Sequence, residues 1–100
     1  MAGAFLIDVG ERFTVHLDMR RSVPVGTVLV SAPLIATDLA DNAIATTTVL
    51  TRTTAVIQEL DLAITVLGVG AGHRYKIAAT AHDATGGIYR ESLIMWVRPE

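Results

Sequence analysis

Residues 60–66 read Leu60-Asp61-Leu62-Ala63-Ile64-Thr65-Val66, and this stretch decides the fold. Leu60, Leu62, Ile64 and Val66 fall on one side of an extended chain, with Asp61, Ala63 and Thr65 on the other. A helix over 53–67 is the competing reading, and the β-branched content and strict alternation disfavour it. The same period recurs to either side. Phe13, Val15 and Leu17 alternate with Thr14, His16 and Asp18. Val28 and Val30 continue the style up to Pro33, which lacks an amide donor and so marks an edge strand or a bulge. The strand resumes over 34–37, and residues 38–42 (DLADN) form a turn cluster. Residues 44–51 and 55–57 read as further strands, because the threonines of 46–54 suit a half-buried pleated surface. Tyr75, Ile77, Ala79 and Ala81 then face one way, opposite Arg74, Lys76, Ala78, Thr80 and His82. The segment Asp83-Ala84-Thr85-Gly86-Gly87 reads as a hairpin loop. In the last strand, 88–98, the inward set is Tyr89, Leu93, Met95 and Val97.

Seven or so short strands with turn signals every 8–12 residues give the pattern of an immunoglobulin-like antiparallel β-sandwich. No helical period separates the strands, as an α/β fold would require. One hundred residues make one domain. Residues 1–11 read as an N-terminal arm or first edge strand, and 12–100 as the sandwich. The apolar fraction of 51% with only 5% aromatics implies a core of small aliphatics, not an aromatic-lined small-molecule pocket.

Composition narrows the function. The formal net charge is −2 and no basic run exceeds Arg20-Arg21, so nothing recruits nucleic acid through phosphate contacts. There is no cysteine, hence no disulfide and no redox signal. The apolar stretch near the N-terminus is too short for a secretory signal core and is followed by acid and base. No window approaches the roughly 20 apolar residues of a membrane helix. The expectation is a soluble protein folded in the cytoplasm, without membrane contact.

Gly68-Val69-Gly70-Ala71-Gly72 follows a strand, but its third glycine comes early and a strand follows it. A dinucleotide loop needs a helix N-terminus at the pyrophosphate, so no cofactor is expected. Gly72 lies three residues before Tyr75 at a strand start, the arrangement of a tyrosine corner, which assigns both a structural role. His16, His73 and His82 with Asp8, Asp18 and Asp83 are the only metal-like side chains, and no two histidines have a ligand spacing. His82 and Asp83 read as solvated strand-end residues. Ser22, Ser31 and Ser92 have no base or acid placed by motif, so no catalytic residue is assigned. Ile94 and Trp96 face outward if Leu93, Met95 and Val97 face the core; a shift of one residue reverses this. Facing outward, with Phe5 or Val9 they form an apolar patch of the kind found at interfaces. The last strand, free of proline until Pro99, reads as an open edge.

Several stretches together carry a resemblance: Val25-Gly26-Thr27-Val28 with Ser31-Ala32, Val49-Leu50-Thr51, then Gly68…Ala71-Gly72-His73-Arg74-Tyr75-Lys76-Ile77 and Gly86-Gly87-Ile88-Tyr89-Arg90-Glu91. Over 12–98 the chain resembles the immunoglobulin-like structural proteins of tailed bacteriophages, found among head, neck and tail-fibre-adaptor components. The resemblance implies a non-enzymatic virion protein, assembled in the host cytoplasm. It would pack against copies of itself or against neighbouring capsid, neck or tail proteins. The alternative is an adhesion or carbohydrate-binding sandwich module at a cell surface, whose mark would be exposed aromatics near strand-end loops.

Overall fold

The computed structural model describes residues 3–40 and 43–99. It is an all-β sandwich of two sheets. The strands are β1 (Gly3–Ile7), β2 (Arg12–Asp18), β3 (Leu29–Ser31), β4 (Leu34–Asp38), β5 (Val56–Gln58), β6 (Asp61–Leu67), β7 (Arg74–Asp83) and β8 (Ile88–Val97). Sheet A has the order β1-β8-β7, with β3 and β4 both paired to the far side of β7. Sheet B has the order β2-β6-β5. β3 and β4 act as one broken strand, so eight segments fill seven strand positions, the connectivity of an immunoglobulin-like sandwich. The break lies at Ala32-Pro33, and the register against β7 shifts just before it, between Leu29 and Ser31. Proline has no amide to give the ladder there, and its carbonyl instead accepts from the Thr80 amide at 3.1 Å.

The alternation read from residues 60–66 fixes the core. Leu62, Ile64 and Val66 are buried on β6, Leu17 on β2, Ile77, Ala79 and Ala81 on β7, and Leu93, Met95 and Val97 on β8. These two inward faces form the single apolar core, and Ile7 of β1 belongs to it. Residues 3–7 are therefore an edge strand of sheet A.

Three readings are corrected. β1 runs parallel to β8, from Gly3 opposite Leu93 to Ile7 opposite Val97, so sheet A is mixed. The same pairing covers the edge of the last strand over 93–97, which is not an open edge; the free edge belongs to β1. Residues 44–51 are not a strand: Thr46–Thr48 form a 3-10 turn and Leu50 makes one isolated bridge to Val66. Val49 and Leu50 are both fully buried although adjacent. A strand points neighbours to opposite faces; here the turn lets both enter the core while the segment spans from β4, where Thr46 Oγ1 accepts from the Ala36 amide, to β6, where Val49 and Thr51 bond to Leu67 and Thr65. Of the turn predicted over 38–42, Asp38 belongs to β4, and Asp41 and Asn42 lie outside the described residues.

Candidate interaction surface

The β6–β7 corner is built around Tyr75. Its ring is buried at the start of β7, and its hydroxyl donates to the Val69 carbonyl at 2.8 Å. Burial first, and then the nearby Asp38 carboxylate, push the Tyr75 hydroxyl above its ordinary pKa. His73 stacks on the Tyr75 ring at 6.1 Å, and its Nδ1 lies 2.9 Å from Asp38 Oδ2. Gly70 is forced by this packing: its φ is +81°, and a Cβ there would stand 2.8 Å from the Tyr75 hydroxyl. Gly72, also left-handed, faces open space, and its amide donates to the Val97 carbonyl. Strand β7, not a helix, follows the glycine loop.

Asp83 is the chief correction among the polar residues. It is buried, the last residue of β7. Its carboxylate accepts from the Gly87 amide (2.7 Å), the Thr85 amide (2.8 Å), the Thr85 hydroxyl (2.9 Å) and the Tyr89 hydroxyl (2.9 Å). The Gly87 amide leads in holding its pKa down, to about 2, with the Tyr89 hydroxyl and Thr85 adding to it. An aspartate that opens Asp83-Ala84-Thr85-Gly86-Gly87 is a turn former, but β7 runs on to include it, opposite Leu29 and on the same inward side as Ala79 and Ala81.

The other candidate ligands are scattered. His16 pairs with Asp61 at 2.6 Å on sheet B, Asp18 with Arg20, and Asp8 with Arg98. Ser22 donates to Glu91. Among the described residues no three His, Asp or Glu side chains come together as metal ligands.

What the strands do assemble is the outer face of sheet A. Register fixes its rows. Leu6, Trp96 and Arg74 lie side by side. Ala4, Ile94, Lys76 and Thr37 form the next row, then Ser92, Ala78 and Ile35, then Arg90 and Thr80. Trp96 is 44% exposed, Leu6 45% and Ile35 63%, while Ile94 is half-buried among them. Trp96 and Ile94 are thus outward, as the alternation of β8 demands. No carboxylate lies on these rows, and Arg74, Lys76 and Arg90 form no ion pair among the described residues. The outer face of sheet B differs: Thr14 and Thr65 share a hydrogen bond at 3.0 Å and His16 is tied to Asp61. Sheet B's outer face joins these polar pairs to Arg12, Leu67 and exposed Val56; sheet A's mixes Trp96, Leu6 and Ile35 with cations that form no ion pair among the described residues. Sequence patterning could find Ile94 and Trp96, but Leu6 and Ile35 join them only through the pairing of β1 and β4. No known protein family matches the chain, and no characterised protein is significantly similar to it in sequence.

Proposed function

We propose that this chain is a non-enzymatic structural protein of a tailed-phage particle, acting by packing the outer face of sheet A against neighbouring proteins. The observation that supports this most is the pairing of exposed Leu6 and Trp96 side by side, with half-buried Ile94 in the next row and exposed Ile35 across β7, on a face that also carries Arg74, Lys76 and Arg90. Tryptophan and arginine are the residues most enriched where protein interfaces concentrate their binding energy. A contiguous apolar strip on a small domain is costly to leave in water and marks a contact surface. The resemblance of the chain to phage immunoglobulin-like proteins supplies the setting.

Purified phage particles carrying the Trp96→Ser chain test the reading. The variant should fold with a melting curve close to wild type, because Trp96 points away from the core. It should be lost from the particles, while Trp96→Phe is retained. A folded Trp96→Ser chain that incorporates as well as wild type overturns the proposal.

A further inference from the structure

We infer that β1 pairs edge to edge with β1 of a second copy of this chain, antiparallel about a two-fold axis at Phe5, merging two copies of sheet A into one continuous sheet. The inference rests on the packing role proposed above and names one of its partners.

The backbone argues first. Among the described residues β1 pairs only with β8, so its other side is an edge. The Ile7 carbonyl accepts from the Arg98 amide, which places the backbone groups of Gly3, Phe5 and Ile7 toward β8. A strand turns the amide and carbonyl of alternate residues to opposite sides, so those of Ala4 and Leu6 face outward. Two-fold pairing about Phe5 sets Ala4 opposite Leu6 of the copy. Each such pair exchanges two hydrogen bonds, satisfying all four outward groups at once.

The side chains agree. Gly3–Ile7 contains no charge and no proline, the usual guards of a strand edge. Ala4 and Leu6 lie on the outer face, so pairing extends the Leu6–Trp96 strip across the axis without burying an ion. Charge selects this geometry over face-to-face stacking. Two sheet A faces stacked about 10 Å apart would set Arg74, Lys76 and Arg90 against their own copies. Edge pairing leaves the two β7 strands five strand spacings apart, roughly 24 Å, and the two β8 strands that carry Arg90 three spacings apart, roughly 14 Å, both beyond the screening length of about 8 Å at physiological salt.

Sedimentation of the wild-type chain from about 1 μM to 1 mM, the range expected of a weak contact, should show the mass rising from 10.6 kDa to twice that. Leu6→Pro removes an outward amide that β8 does not use, and should stay monomeric where wild type and Leu6→Ala dimerise. Amide exchange on wild type needs no variant: the Ala4 and Leu6 amides should slow as concentration rises. A monomer throughout the range overturns the inference, as does a dimeric Leu6→Pro or exchange at Ala4 and Leu6 that ignores concentration. A monomeric wild type whose Trp96→Ser variant is still lost from particles would remove the β1 pairing and leave the packing role standing. Dimerisation through β1 with unimpaired incorporation of Trp96→Ser would do the reverse.

Discussion

The Tyr89 hydroxyl donates to Asp83 Oδ2 at 2.9 Å across the β7–β8 hairpin, while Gly87 and Thr85 donate to the other oxygen of the same carboxylate. The hairpin that leads into β8, and so into the Trp96 face, is closed by a charge. The folded-state pKa of Asp83 is about 2 against an ordinary 3.8. A carboxyl with a depressed folded pKa stabilises the fold above its unfolded value and loses that contribution as protons bind. Melting temperature should therefore fall between about pH 4 and pH 2. Asp83→Asn should melt lower than wild type at pH 7 and flatten that acid limb. An unchanged acid limb in the variant would assign it to other groups.

Tyr75 gives a second test. Tyr75→Phe should cost on the order of 1 kcal/mol, one lost hydrogen bond to the Val69 carbonyl. Tyr75→Ala should cost about 3–5 kcal/mol, as for a large buried ring. The Tyr75 pKa is raised above its ordinary 10.0, so the folded hydroxyl keeps its proton and its bond past that pH, and the stability the bond brings declines only as pH rises further. Urea midpoints at pH 7 measure both variants, and a Phe variant equal to wild type would deny the hydroxyl any stabilising role.

Glu59 is the one described non-glycine residue with positive φ, at 59°. It opens the two-residue turn between Gln58 and Asp61, where glycine is the favoured residue. Relief of about 1–2 kcal/mol of strain, less about 0.5–1 kcal/mol for the entropy of glycine, predicts that Glu59→Gly raises stability slightly. Thermal unfolding checks the sign.

Gly68 has the opposite sensitivity. Its carbonyl accepts from the Gly10 amide and its amide donates to the Glu11 carbonyl, clamping the β1–β2 turn. A Cβ at Gly68 would collide with the Asp8 carbonyl, which is backbone and cannot swing aside. Gly68→Ala should cost about 3 kcal/mol or more, at the upper end for overpacked sites. Amide exchange should show β1 released from β8 before the rest unfolds.

The sheets were legible in the sequence because apolar alternation is a local property, and Leu62, Ile64 and Val66 needed no partner to declare their face. The 3-10 turn at Thr46–Thr48 was not legible. Threonine favours strands, and that preference is overridden by the burial of both Val49 and Leu50 where the segment spans β4 and β6. The parallel placing of β1 was hidden for a related reason: GAFLI suits any edge, and which edge depends on chain crossing, not composition. Of the interaction face, the β8 half was readable from one strand, whereas Leu6 and Ile35 arrive from residues far away in sequence. Asp83 reads as solvated in the sequence because its four donors cluster only when the hairpin closes.

The parallel register of β1 and β8 has a mechanical consequence. Gly3 lies opposite Leu93 and Ile7 opposite Val97, so the leading end of β1 and the trailing end of β8 point in opposite directions along the sheet. Tension drawn between the two chain ends slides these strands past one another and strains all five residue pairs together. It cannot peel them apart one at a time. A sandwich strung between neighbours by its ends would resist extension as a unit and yield abruptly.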